Sequence, residues 1–397
     1  MSRFNIAQTH PLIPNSNEYA TDPQLVSIHS EDRNVLRFPN SNSFEIELPQ
    51  DYNNVASVQL INWAFPANYN TFSLLQRNIF LTFKFVGLYN PGDHNVADPI
   101  ANAIFDALYR LHEKEILVVI EEGFYTPNFV TTELTNSFNE AVNAIIIRDM
   151  TIYAPELLPQ YIATGGYDRF VVVYNQVGMK LWFGNTSDEF VMTNNSEVYV
   201  NDVTANLACL STAMPVFVRW GLPSYLGFDR CNATSSAMPY GRFMYGEVNA
   251  GDDGIWISPD TTLTGSVCYI LEAPFKINLM GEAYFYMEID GMNSIDETMP
   301  YALSSFTSTT NVTNGIVKSS FAKIPIASTP ITQVFDGSAL PGKIYTPPAE
   351  RIRRLRIHLR YHDGGAVQFG KFEFSFTIQL NCLRAQNAFA MTVQNYG

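Results

Sequence analysis

Alternation of apolar and polar residues over Arg351–Leu380, RIRRLRIHLRYHDGGAVQFGKFEFSFTIQL, constrains this chain more than any other feature. In the first arm Leu355, Ile357, Leu359 and Tyr361 alternate with Arg354, Arg356, His358 and Arg360. In the second, Phe372, Phe374, Phe376, Ile378 and Leu380 alternate with Lys371, Glu373, Ser375, Thr377 and Gln379. Period two puts successive side chains on opposite faces of a strand, so each arm has one buried and one open face. His362-Asp363-Gly364-Gly365 tolerates the positive φ angles of a tight turn, and the spacing predicts a hairpin. So long and aromatic a hairpin belongs in a large β-sandwich, which suits a wall or a surface better than a small catalytic cleft.

At 397 residues, 46% hydrophobic and 13% aromatic, the chain can bury a large core. Only 16% of residues are charged, which argues against long disordered regions. The net charge of −14 excludes general wrapping of nucleic acid, because phosphate contacts need clustered Lys and Arg. One basic strip departs from this: Arg351, Arg353, Arg354, Arg356 and Arg360. It reads either as a solvated strand face or as a contact for an acidic neighbouring protein. The four cysteines, Cys209, Cys231, Cys268 and Cys382, form no CxxC pair and imply free thiols rather than zinc ligands. The first residues contain no hydrophobic signal core, and no apolar run is long enough to cross a bilayer, so a soluble intracellular protein is expected. On that basis the sequons at Asn185, Asn194, Asn232 and Asn311 are chance matches.

Along the chain, residues 1–26 are rich in Pro and Asn and read as an extended arm. Residues 27–90 hold strand patterns at Phe44–Leu48, Val55–Phe65 and Ile79–Phe85. Residues 91–262 switch to helical spacing. Ile100, Ile104, Leu108 and Leu111 form one stripe, and Leu134, Phe138, Ala141, Val142 and Ile145 form a second behind a Thr126 N-cap and Pro127. A hairpin turning near Val177-Gly178 follows. Residues 263–397 return to strands at 267–271, 275–279, 284–289 and 321–326, with a Ser/Thr/Asn loop at 303–316. The fold class expected is mainly β: a sandwich interrupted by an inserted α+β module.

Catalytic patterns are sparse. There is no P-loop, no GxGxxG after a strand, no HExxH and no GxSxG. His358 and His362 lie four apart, but on a strand entering a turn they do not converge on a metal. Asn249–Gly254 could offer oxygens to calcium, yet lacks a regular ligand ladder. Glu121-Glu122 and Asp290 with Asp296 are the carboxylates a glycoside hydrolase would need. Trp63, Trp182, Trp220 and Trp256 read as core, with a sugar platform as the alternative.

The run FPNSNSFEIELP (Phe38–Pro49), followed by Val55–Pro66, resembles the N-terminal signature of capsid-shell proteins of nucleocytoplasmic large DNA viruses. YFYMEIDGMNSIDET (Tyr284–Thr298), FAKIP (Phe321–Pro325) and the closing alternating block are similar to further segments of that family, in the family's order. The resemblance implies a jelly-roll sandwich in an icosahedral shell, with no catalytic residues, metal or organic cofactor. A major capsid protein of the family has two consecutive jelly rolls; here one set of strands is visible. The first expectation is therefore a minor capsid protein that joins and stabilises major capsomers in the virion after assembly inside the host cell. Its partners would be those capsomers and other minor capsid proteins, without nucleic acid, membrane insertion or a small-molecule substrate. A vertex (penton) protein and a glycan-binding attachment protein are the alternatives.

Overall fold

The computed structural model describes residues 19–66, 70–74, 76–87, 97–199, 220–243, 255–260, 266–298, 318–326, 342–362 and 364–385. The 303–316 loop, the 249–254 loop and most of the expected arm lie outside them. The described strands are, in order, β1 (Tyr19–His29), β2 (Ser43–Ala64), β3 (Phe80–Phe85), β4 (Ile116–Val119), β5 (Phe170–Asn175), β6 (Lys180–Asn185), β7 (Phe190–Met192), β8 (Ala233–Thr234) and β9 (Ser236–Met238). They continue with β10 (Arg242–Phe243), β11 (Ile255–Ile257), β12 (Cys268–Glu272), β13 (Tyr284–Ile289), β14 (Ile295–Glu297), β15 (Lys318–Ser320), β16 (Ala322–Pro325), β17 (Gly342–Arg360) and β18 (Ser375–Ala385). The longer helices are α1 (Pro99–Leu111), α2 (Pro127–Tyr153) and α3 (Leu158–Ala163).

Contacts divide the chain into two units, Met1–Asn70 with Glu282–Gly397, and Thr71–Gly281. The first unit is a jelly-roll β-sandwich. Its strands are hydrogen-bonded in the order β1-β18-β2-β17-β13-β16. β2 and β17 are long, and each serves two sheets. The start of β2 pairs with the end of β17 (Phe44 opposite Ile357), and the end of β2 pairs with the start of β17 (Val58 opposite Lys343). Register shifts at Ile344/Ala349 and Ile352/Arg354 mark the bend, with the non-donating Pro49 facing it on β2. Sheet I is thus β1, β18, the second half of β2 and the first half of β17. Sheet II is the first half of β2, the second half of β17, β13 and β16. The eight segments and their two-sheet order are those of a jelly roll.

One apolar cluster fills the space between the sheets. Val26, Val58, Trp63, Phe376 and Ile378 come from sheet I, and Phe44, Phe285, Met287, Ile357 and Leu359 from sheet II. Phe65 meets Phe285 edge-on at 4.9 Å and Phe374 at 4.7 Å. A buried aromatic of this size contributes about 1.5–3 kcal/mol from burial alone.

Two expectations need correcting here. The alternating block is not a hairpin. Leu355, Ile357, Leu359, Tyr361, Phe374, Phe376, Ile378 and Leu380 are all buried, as alternation requires, but Phe372 is exposed. The two arms do not pair with each other, because β2 is the neighbour of both: β17 joins it in sheets I and II, and β18 joins it only in sheet I. Tyr361 N–H donates to Gly365 O at 2.7 Å and closes a tight turn, after which the chain crosses the sandwich. The arm is also shorter than 26 residues. Tyr19–His29 is a strand in register with β18, and Val26 and Ile28 enter the core behind a Pro/Asn-rich lead that hides their alternation.

The second unit is α+β. One sheet runs β4-β3-β7-β8 and another β5-β6-β12-β9. Val130, Leu134, Phe138, Val142, Ile146 and Met150 form the buried stripe of α2. Thr126 Oγ1 accepts from Phe129 N–H at 3.3 Å to cap the helix, and Asp98 caps α1 through Ile100 N–H at 2.9 Å. Phe138 and Phe170 pack 4.9 Å apart, and each touches Phe83. The unit starts earlier and ends later than helical spacing suggested. β3, grouped by its alternation with the sandwich, pairs with β4 and β7. β12, grouped with the closing strands, pairs with β6 and β9. Residues 275–279 form no strand. Alternation marks a strand's faces without naming its sheet.

Candidate interaction surface

The basic strip lies on the outer face of sheet II and its bend, where nearly every guanidinium has a carboxylate partner within the chain. Arg354 reaches Glu45 at 2.9 Å and Glu47 at 2.7 Å across the β2–β17 pair. Arg351 and Arg353 flank Asp51 at 3.4 and 3.7 Å, and Arg356 stands 3.8 Å from Asp290. The hydrogen bond from Arg354, helped by its charge and that of Arg353, holds the Glu47 carboxyl below its ordinary value. The arginines of these pairs are exposed, and each pair contributes little.

Arg360 is different. It is buried and forks onto Glu297, with Nη1 to Oε2 at 3.1 Å and Nη2 on the other oxygen, while Nε bonds Glu288. Burial pulls the guanidinium down, but the bonds to Glu297 and Glu288 outweigh it and leave it above its ordinary value. The Glu297 side chain is only 1% exposed. His362 Nδ1 lies 3.3 Å from the same carboxylate. The pair ties β14 to β17, which makes Arg360 a brace rather than part of a contact strip. Nothing in the sequence set Glu297 apart from its acidic neighbours Glu288, Asp290 and Asp296.

Taken strand by strand, the outer face of sheet II is striped. β2 offers Glu45 and Glu47, β17 offers Arg354, Arg356 and Arg360, β13 offers Glu288 with Asp290 just beyond it, and β16 offers Lys323. Four acids face four bases, so the stripes cancel. Cross-strand pairs of opposite sign favour this register.

On the outer face of sheet I, β1, β18 and the second half of β2 carry no charged side chain, and the exposed Glu350 stands where β17 enters the bend. β1 turns out Thr21, Pro23, Leu25, Ser27 and His29; β18 turns out Ser375, Thr377, Gln379, Asn381 and Leu383; β2 adds Ser57 and Gln59. Asn381 Nδ2 donates to Ser57 Oγ, and Gln379 Nε2 to Asn381 Oδ1, both at 2.8 Å. Leu25 is 65% exposed, and Ile344 on β17 is 79% exposed. The nearest ion pair, Arg384–Asp22 at 2.5 Å, sits at the sheet corner on residues of the opposite parity.

The other candidates do not assemble into a site. His358 Nδ1 bonds Ser43 Oγ at 2.8 Å, while His362 turns to Glu297. Among the described residues no group of three or more His, Cys, Asp or Glu is placed to hold a metal ion, and no helix is long and apolar enough to cross a membrane. Glu122 accepts from Leu74 N–H at 2.7 Å, and Asp290 faces Arg356. Trp63, Trp182 and Trp220 are buried, and Trp256 is half-buried 6.0 Å from Trp182, so no tryptophan offers an open ring to a sugar. In the second unit Tyr167, Arg169 and Asn185 converge on one another through Asp188, with Tyr167 OH donating to Asp188 at 2.8 Å. Burial, then the Asp188 charge, pushes the Tyr167 phenol well up, so it stays a neutral structural donor.

No family model matches the chain, and no curated protein matches it. Among solved structures, it is similar to a chain of the Sputnik virophage determined by cryo-EM, at 11% identity over 91% of this chain and 98% of that one, with a TM-score of 0.35. It is also similar to the mavirus penton protein, at 9% identity over 92% and 99%, with a TM-score of 0.34. TM-scores this low do not establish a shared fold; the jelly-roll assignment rests on the strand pairing above.

Proposed function

We propose that this chain is a non-enzymatic structural subunit of the icosahedral shell of a large DNA virus, occupying the vertices. The observation that carries the reading is where the capsid-like blocks fall. Phe38–Pro66 builds β2, Tyr284–Thr298 builds β13 and β14, Phe321–Pro325 builds β16, and Arg351–Leu380 builds the second half of β17 and the start of β18. All of them lie in the jelly-roll unit, and the second unit enters between β2 and β13. Blocks that resemble a family only in sequence thus fall on the strands of one complete roll.

The single roll favours the vertex over a place between capsomers. Chains with two rolls each divide a six-fold ring evenly and cannot divide a five-fold one, whereas a chain with one roll can. A closed icosahedral shell needs both rings. The capsomers around the vertex are then the expected neighbours, and the virion is the expected location. The second unit, set into one connection of the roll, is free to vary without disturbing the sandwich.

Quantitative mass spectrometry of purified particles, with a reconstruction of the shell, tests this. Five copies at each vertex are expected. Density beneath or between capsomers would restore the cementing role instead. Absence from particles, or presence only as a fibre outside the capsomer layer, would overturn the shell reading.

A further inference from the structure

We infer that the outer face of sheet I, uncharged across β1, β18 and the second half of β2, is the surface through which one copy of this chain docks a second copy. The inference deepens the shell reading, and it starts from the contrast in charge. The chain carries a net charge of −14, so two copies repel over most of their surfaces. Like charges meeting at an interface cost several kcal/mol, and the buried centre of protein contacts is depleted of charge. The sheet I face is where two acidic copies approach with least cost. A basic partner would instead be drawn to acidic surface, so charge alone favours a like-charged occupant here.

Size and chemistry agree. β1 is 11 residues long. Strand rise and spacing give a four-stranded face of that length about 37 by 19 Å, or about 700 Å². A stable contact buries about 800 Å² on each partner. Several polar groups of the face are already bonded laterally, in the Gln379–Asn381–Ser57 chain and between Ser27 and His29, so covering these strands few donors. Leu25 and Ile344 stand proud of it on opposite outer strands, where water gains by releasing them. β1 and β18 pair through all of Tyr19–His29 without a register shift, so this part of the face is ordered before contact.

The test uses the full chain. Sedimentation velocity from about 1 to about 100 μM spans the range in which a contact of this size associates. The wild type is expected to self-associate, and raising NaCl to about 0.5 M should not dissolve the contact, because screening acts on charge. Leu25→Glu with Ile344→Glu puts two carboxylates on side chains that are already exposed, and should weaken association about a hundredfold. Asn136→Glu, on the exposed side of α2, should leave it unchanged. Thermal melts verify that each variant folds; should the double variant melt early, Ile344→Glu alone gives the readout. A wild type that stays monomeric throughout, a double variant that associates like the wild type, or an Asn136→Glu variant weakened as much as the double one would overturn the inference. It can fail apart from the shell reading: a protein present at vertices yet indifferent to the double variant ends the former only, and a protein that self-associates through this face yet is missing from particles ends the latter only.

Discussion

Sheet II turns four acids and four bases outward in alternating rows, whereas sheet I turns out hydroxyls and amides, and the two share one apolar core. Their inner faces obey the same rule, alternation against a common interior. Their outer faces answer to different demands. Paired charges on sheet II fix strand register and keep that surface wetted. The largely uncharged face of sheet I does nothing of the kind, and its Leu25 and Ile344 are a cost in a lone subunit. The core therefore explains the fold, and the outer faces bear on what the fold is for.

The comparison can be broken first at its shared part. Phe376, 1% exposed and opposite Trp63 in register, should lose about 3–5 kcal/mol on mutation to Ala through lost burial and a cavity. Urea melts followed by tryptophan fluorescence check this; a loss below about 1 kcal/mol would mean that the sheets do not share that core. Arg360→Ala comes next, at about 3 kcal/mol, because it leaves the buried Glu297 carboxylate without its guanidinium. Arg354→Ala, on the same strand and the same face, should cost far less, since Arg354 itself is exposed and water can replace its partners. Equal losses for the two arginines would erase the distinction between brace and stripe.

A smaller effect appears with pH. Glu373 is exposed; its limited burial raises the carboxyl, but bonds from Arg33 and Ser30 and the Arg33 charge outweigh this and leave it below its ordinary value. A lowered folded value means stability that is fully present above the unfolded value and lost as pH falls through the folded one. Between about pH 6 and about pH 3 the wild type should lose more stability than Glu373→Gln. Parallel pH curves would show that the pair does not form in solution. The smallest expected change is Thr377→Ala, well under about 1 kcal/mol, one residue along from Phe376 and on the face proposed to be open until docking.

The sequence made the inner faces legible because burial leaves a period-two mark: Leu355 through Tyr361 and Phe374 through Leu380 are where alternation puts them. It could not supply partners. β17 and β18 read as one hairpin, since a turn followed by a second alternating run looks the same whether or not the runs pair. β3 alternates as well as β2 does, and only its bonds to β4 and β7 assign it to the other unit. The arginine strip was visible as a run of charge, but its neutralisation was not, because Glu45, Glu47 and Asp51 lie about three hundred positions away. Sheet I's outer face was the hardest to see. Its lack of charge emerges only when strands from both ends of the chain are laid side by side.

The register of β1 with β18 also bears on how the molecule is made. β18 lies between β1 and β2, yet it is separated from them by the whole second unit and most of the rest of the chain. During synthesis β1 and β2 emerge with no strand to stand between them, while Thr71–Gly281 is contiguous and can settle as it appears. Sheet I closes only when Ser375–Ala385 arrives, so its outer face does not exist until strands from both sides of the second unit have been made. A subunit built this way cannot offer that face while only its first strands exist, so self-association waits on the last strand of the sheet.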